Sequence, residues 1–499
     1  INFMNLATAR SARRANEIGM RKVLGAYRWQ LIKQFLGESI FISLIAMLIS
    51  IALIELALPL FNDFSGKELA LEIISKPLLG FGLLGLTLLV GIISGSYPAF
   101  FLSAFRPVVV LKGKSNSGAS GHASTLRKIL VISQFTISIA LIISMGIVYQ
   151  QMEFFRSKKL GFNKDHVVVL PTSQYILENT ESVRAQLTQH PNIISMGTSK
   201  RIPSGRLADS WSGRTLEGGE PKPLTFRLAV VGVDYGFLET YQLELAAGRN
   251  FSREYATDDS SAFILNEAAV AKLGWRNDEA IGKQLLYGGR NGYVVGVVKN
   301  FHFESLHNEI VPLILVITSH NNWNVTVRIR SEDVAGTLAF LQDKWHDFRP
   351  DYPFEYEFLD ERLHSLYESE ERLGEIFSYF SLLAVFIACL GLFGLASFTA
   401  EQRTKEIGVR KVMGASISNI IGLMSKDFIK LIFIAGIIAC PISYFLMNQW
   451  LQEFAYHISI GIDVFIFAGA LALLIALFTV SYQAVKAALS NPVDALRYE

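Results

Sequence analysis

Glu17-Ile18-Gly19-Met20-Arg21-Lys22-Val23-Leu24-Gly25-Ala26 returns late in the chain as Glu406-Ile407-Gly408-Val409-Arg410-Lys411-Val412-Met413-Gly414-Ala415. The two blocks share every position except Met20/Val409 and Leu24/Met413. Internal similarity of this kind marks a duplicated structural unit. The likeness extends past the block. Ser96-Tyr97 and Ala99 match Ser481-Tyr482 and Ala484, and Arg106-Pro107-Val108 matches Asn491-Pro492-Val493. Each half therefore reads as a basic motif, an apolar run, a short loop, a second apolar run and an x-Pro-Val exit.

The apolar runs are long. A helix that crosses a bilayer needs about 20 predominantly apolar residues. Six stretches qualify: 35–60, 78–104, 129–149, 376–398, 428–448 and 464–485. Half of the 499 residues are hydrophobic (51%), and the mean hydropathy is positive. Gly80, Gly82, Gly85, Gly91 and Gly95 mark a face on which membrane helices can approach closely.

Segments 10–34, 106–128 and 403–426 are rich in Arg and Lys. By the positive-inside rule they are cytoplasmic. The loops 61–77 and 449–463 then lie outside, as does the long segment 150–375. Glu38, Glu55 and Asp427 sit near span ends, where a carboxylate can reach the interface or a nearby base. No span has a central charge, which argues against an ion-driven transporter.

In each block Glu precedes Arg by four residues, the favourable order for a helix-surface pair. Gly25 and Gly414 follow the last apolar residue, as a helix C-cap requires. The expected element is a short amphipathic helix leading into a span. Lipid binding alone does not call for a repeated Glu and repeated glycines, so two equivalent docking sites are expected on a partner with two similar halves.

The Glu-Ile-Gly-x-Arg-Lys-x-x-Gly-Ala block, repeated between spans, resembles the FtsX-like permease family, which includes the MacB-type and lipoprotein-releasing ABC transporters. The stretch Val294 to His307 is similar to the MacB-type periplasmic core domain. The fold class expected is a polytopic α-helical membrane protein with an extracytoplasmic α+β domain of that type. The resemblance implies that Glu17, Ile18, Gly19, Arg21, Lys22 and Gly25, and Glu406, Ile407, Gly408, Arg410, Lys411 and Gly414, form coupling helices that seat on ATPase subunits.

The same resemblance implies a permease in the bacterial cytoplasmic (inner) membrane, driven by a separate cytoplasmic ABC ATPase that binds ATP and Mg. This chain itself is expected to bind no cofactor and no metal, and to be non-catalytic. Membrane lipid, a periplasmic adaptor and a substrate protein are further expected partners; nucleic acid is not. The substrate class is open among lipoproteins, peptides and drugs. A membrane sensor or receptor subunit is the alternative reading.

MacB-type proteins carry their ATPase in the same chain. Here Gly113-Lys114-Ser115 is the nearest approach to a Walker A loop, and Val108 stands where its first glycine is needed. His302 and His307 flank Glu304 and read as a polar edge beside a strand. Cys389 and Cys440 lie in apolar runs and read as small hydrophobes.

Domain limits are expected at 1–34 (the end of a span and the first coupling helix), 35–149 (three spans), 150–375 (outer domain with a stalk helix) and 376–499 (second permease domain). By symmetry, residues 1–9 read as the inner end of a span, with a further outer domain and span before it, giving roughly eight spans. In the outer domain, strands are expected at 167–170, 226–233, 292–299, 312–318 and 325–329. Helices are expected at 178–190 and 334–348, turns near 203–223, and a strand running into a helix over 262–273. An unbroken helix is expected over 359–380.

Overall fold

The computed structural model describes residues 2, 4, 20–72, 75–103, 119–217, 220–318, 321–350 and 352–489. Glu17, Ile18, Gly19, the 113–115 near-match and both x-Pro-Val exits lie outside the described residues, as does most of segment 1–9. The chain divides into two units.

The membrane unit comprises Ile1–Gln150, Arg372–Gln449 and Ser459–Glu499. Among the described residues, six helices are long and apolar enough to cross a bilayer: Arg28–Ser65, Pro77–Ser103, Ala119–Ser157, Glu368–Gln402, Ile417–Leu451 and Ile462–Leu489. They are apolar all round, as a lipid-facing helix must be. Leu56, Leu78, Phe433 and Phe478 accordingly point outward, at 70% to 86% exposure.

Small residues set the helix contacts. A Cβ on Gly91 would fall 2.9 Å from Ile40 Cα, and one on Gly95 would fall 2.6 Å from the Ser39 side chain. The glycine face is thus used only in part, because Gly82 and Gly85 face open space. Ser39, Ser94, Ser138, Ser381 and Ser443 are buried in this unit.

The second unit, Gln151–Glu371 with Trp450–Ile458, is the extracytoplasmic α+β domain. Its described strands form one mixed sheet. They are β1 (Val167–Pro171), β2 (Ile193–Ser199), β3 (Ser210–Trp211), β4 (Gly213–Glu217), β5 (Glu220–Pro223), β6 (Leu228–Val233), β7 (Leu245–Gly248), β8 (Ala262–Asn266), β9 (Gln284–Tyr287), β10 (Arg290–Val298), β11 (Leu313–Ile317), β12 (Asn324–Ile329) and β13 (Glu357–Phe358). The order is β13-β1-β12-β2-β6-β11-β8-β10-β9-β4-β5, with β3 on β6 and β7 on β10. The pairs β6/β11 and β8/β10 are parallel.

Both faces are covered, so the central strands read as unbroken apolar runs rather than alternations. Val167 and Val169 enter one core, and Val168 and Leu170 enter another. Likewise Leu313, Leu315 and Ile317 face one core while Ile314 and Val316 face a third. One face thus carries a single cluster and the other carries two.

Strand-to-helix changes are marked by side-chain caps. Asn266 Oδ1 accepts from Ala269 N at 2.9 Å and from Leu313 N at 2.9 Å, ending β8 and starting a helix in one step. Asp333 caps helix Val334–Phe348 through Gly336 N at 3.1 Å.

Several features differ from the sequence expectation, among them strands β7, β9 and β13, for which none was expected. The 178–190 helix is two pieces, Gln174–Glu178 and Thr180–Leu187, joined at Asn179. The 203–223 segment holds β3, β4 and β5 among its turns. Strand β2 was not expected; five of its residues are small, polar or sulfur-bearing, yet six of seven are buried. The 359–380 helix is interrupted at Leu366-Tyr367, between Leu359–Ser365 and Glu368–Gln402. Tyr367 leaves the helix to join Phe155 and Phe454, with its hydroxyl accepting from Leu306 N at 2.8 Å.

Candidate coupling site

In the second copy the motif is helix Thr404–Val412. Glu406 pairs with Arg410 at 2.8 Å, the i,i+4 bridge expected from the spacing. Ile407 is 3% exposed and packs with Ala400, Ile420, Met424 and Ala484. Gly408 beside it is also buried. The opposite face is bare: Val409, Val412 and Met413 are 45%, 67% and 75% exposed.

The helix then stops abruptly. Gly414 has φ +90°. Its N–H donates to Lys411 O at 3.0 Å, and Ala415 N–H donates to Arg410 O at 2.9 Å. These are the 5→2 and 6→1 bonds of a Schellman motif, which needs a residue that accepts the left-handed conformation. Ser416 Oγ accepts from Asn419 N at 3.3 Å and opens the span Ile417–Leu451.

The first copy repeats this turn bond for bond. Residues 20–23 are helical, Gly25 has φ +97°, Gly25 N–H donates to Lys22 O at 3.1 Å, and Ala26 N–H donates to Arg21 O at 3.0 Å. Met20, Val23 and Leu24 are 59%, 62% and 82% exposed, at the positions of Val409, Val412 and Met413. The packing beneath is duplicated too. Leu31, Ile32 and Phe35 meet Ala99 as Ile420, Ile421 and Met424 meet Ala484. Repeat and fold therefore agree down to the Gly-Ala pair, whose role is the turn itself.

Each turn is tied to its surroundings by basic side chains. Lys22 Nζ donates to Ser103 O at 2.6 Å, and Arg28 Nε donates to Ser103 Oγ at 3.3 Å, fixing the first turn to the end of helix Pro77–Ser103. Burial, and then the charge of Arg28, hold the Lys22 ammonium below its ordinary pKa. Arg21 donates to Gln34 at 3.2 Å. In the second copy Arg403 reaches Asp427 at 3.2 Å, which gives that span-end carboxylate its base. The Lys22–Ser103 and Arg403–Asp427 contacts were not signalled by the motif, because each depends on a residue from another helix or turn.

The outer-domain histidines have other tasks. His302 is 7% exposed and meets Tyr456 edge-on at 4.7 Å. His307 lies 2.6 Å from Ser305 Oγ and 3.2 Å from Glu370, stacked on Tyr367. Three carboxylates between 357 and 371 are paired as well: Glu357 with Arg362, Glu370 with His307, and Glu371 with Arg156 and His364.

An FtsX-like permease C-terminal family model matches residues 1–107 and 378–492, the two segments that carry the duplicated turn. A MacB-like periplasmic core domain model matches residues 129–340 between them. The chain belongs to the FtsX-like permease family. It is a multi-pass membrane protein of the MacB-like ABC transporter permease family.

Curated relatives include the macrolide export ATP-binding/permease protein MacB of Chromobacterium violaceum, 24% identical over 54% of this chain and 43% of that protein. MacB of Neisseria gonorrhoeae is 23% identical over 61% of this chain and 49% of that one. The permease thus spans under half the length of these relatives, whose names denote fused ATP-binding and permease functions. Among solved structures, the periplasmic region of MacB from Actinobacillus actinomycetemcomitans is 15% identical over 41% of this chain and 94% of that one, with a TM-score of 0.29. At that score the superposition adds nothing to what the family models give.

Proposed function

We propose that this permease couples ATP hydrolysis by a separate cytoplasmic ABC ATPase to movement of the extracytoplasmic domain, which extrudes or acts on a substrate. ATP and Mg are bound by the ATPase. The permease sits in a bacterial cytoplasmic membrane with residues 150–375 outside. Its substrate is a lipoprotein, a peptide or a drug-like molecule, as the macrolide exporters among its relatives suggest, and it reaches that substrate alone or with a periplasmic adaptor.

One observation carries this reading: two turns of identical hydrogen bonding expose an apolar side chain at each of the same three positions, Met20, Val23 and Leu24 in one and Val409, Val412 and Met413 in the other. A two-state switch from 1:99 to 99:1 needs about 5.5 kcal/mol of differential binding. Six exposed apolar side chains, at about 1.5–3 kcal/mol each when fully buried, supply that difference where the ATPase covers them in one state and not in the other. Only a surplus survives the cost of association, so both turns are needed.

The test is co-purification of an ATPase with the full-length protein from detergent-solubilised native membrane. Val23→Glu with Val412→Glu changes side chains that are exposed in the free chain, so folding is kept while the ATPase is lost. Glu17→Lys with Glu406→Lys is expected to do the same. An ATPase held equally well by both double variants would sink the docking role.

A further inference from the structure

We infer that the outer domain holds, just past the last residue of helix Ala119–Ser157, a groove for the phosphate-bearing headgroup of an anionic phospholipid. The groove is built from the loop between that helix and β1. Gly161, at φ +83°, lets the loop lie directly on the exit of β10, since a Cβ there would fall 2.6 Å from Asn300 O and 2.8 Å from Phe301 Cα.

Behind the loop is Arg328, only 3% exposed. Its guanidinium donates to Thr240 O at 2.6 Å, Asp165 O at 2.9 Å and Asn163 O at 2.6 Å. These partners are neutral carbonyls, and the Asp165 carboxylate offsets part of the charge through space. Among the described residues it enters no ion pair. Carbonyl dipoles satisfy its protons but do not cancel its charge. A buried charge of this kind is weakly screened and adds to the potential of the nearby surface.

That surface is a cavity of about 490 Å³ lined by Lys158, Lys159, Lys164 and Lys299, with Asp165 and Glu244 as its carboxylates. Glu244 is taken by Lys299 at 2.6 Å. Lys159 and Lys164 enter no ion pair among the described residues. The groove is therefore a net cation, and it calls for an anion.

The position names the carrier of that anion. Lys158 and Lys159 are the first two residues after the membrane-crossing helix. The Lys158 ammonium lies 5.1 Å from the ring centres of both Phe154 and Tyr456. Trp450 and Phe454 belong to the same aromatic cluster. Tyr and Trp beside Lys at the end of a span are the side chains that settle at headgroup level. A free anion would need none of these rings.

The test is native mass spectrometry of the full-length chain in detergent, titrated with phosphatidylglycerol or phosphatidylcholine. Lys158→Gln/Lys159→Gln/Lys164→Gln is compared with Lys222→Gln/Lys272→Gln/Lys344→Gln, which removes the same charge elsewhere on the domain. The wild type and the control variant should prefer phosphatidylglycerol on the order of 100-fold at low salt. The groove variant should lose that preference, and Lys→Arg at the same three positions should restore it. No preference in the wild type, equal loss in the control, or retention in the groove variant would each overturn the proposal. Displacement of phosphatidylglycerol by millimolar inorganic phosphate would make the groove a free-anion site and overturn the lipid assignment.

Discussion

Gly414→Ala isolates the turn from everything else in the motif. Gly414 has φ +90°, and a Cβ added there meets nothing within 4 Å. The penalty is therefore backbone strain alone, about 1–2 kcal/mol for an L-residue in the left-handed region. Helix Thr404–Val412 has nine residues, too short to hold itself without its cap and its buried face. A loss of that size raises the population of the opened turn roughly 5- to 30-fold. Amide hydrogen exchange on the detergent-solubilised protein reads this directly, as faster exchange at Ala415, whose N–H closes the 2.9 Å bond to Arg410 O. Asn tolerates the left-handed region better, so Gly414→Asn should lie between Gly and Ala. Gly422 is the control. It is a helical glycine with ordinary φ and open space around a Cβ, so Gly422→Ala should be neutral or stabilising. The same order is expected at Gly25, at φ +97°. If Gly414→Ala leaves exchange at Ala415 unchanged, the Schellman reading fails. If exchange rises but the ATPase still binds at full strength, the turn is real and the docking role assigned to it is wrong.

Burial, and secondarily the charge of Lys158, push the His302 ring down to about 4 from an ordinary 6.5. The folded state thus favours the neutral ring, so stability from this site is complete above pH 6.5 and is lost towards pH 4, by up to about 3 kcal/mol. His302→Phe should flatten that part of the pH profile in urea unfolding followed by tryptophan fluorescence, and an unchanged slope would refute the assignment. Asp258 is 1% exposed and accepts from Arg249 at 2.6 and 2.8 Å and from Ser252 N at 2.9 Å. Breaking such a pair costs about 3–5 kcal/mol. Because Arg249 can turn to water and Asp258 cannot, Arg249→Ala should destabilise more than Asp258→Ala, and the reverse order would count against this account. In the membrane unit, Gly95→Leu should lower thermal stability in detergent, since its Cβ would fall 2.6 Å from Ser39, while Gly85→Leu, with open space, should not.

What the sequence makes legible follows from which signals are local. The six spans were readable because a bilayer demands a long apolar run from each helix separately. The paired turns were readable because duplication prints the same Glu, Arg and Gly twice. Strand β2 was not, because Ser195, Gly197, Thr198 and Ser199 carry no apolar alternation; burial there is imposed by β12 and β6 on either side. Arg328 was not singled out in the sequence, because its burial depends on carbonyls of Asn163, Asp165 and Thr240, all far from it in the chain. The interruption at Leu366-Tyr367 has the same origin. Glu361 to Gln402 contains no proline, and its one early glycine, Gly374, lies beyond the break. Helix propensity alone therefore predicts continuity. The break is forced by Tyr367, whose ring is held 4.9 Å from Phe155 and whose hydroxyl holds Leu306 N. Removing the hydroxyl keeps the ring and deletes the bonds to Leu306 N and to the Ser305 side chain. If the long-range contact is what breaks the helix, Tyr367→Phe should partly restore helix hydrogen bonding, seen as slower amide exchange at 366–371. Unchanged exchange would show that the hydroxyl bonds are not what breaks the helix.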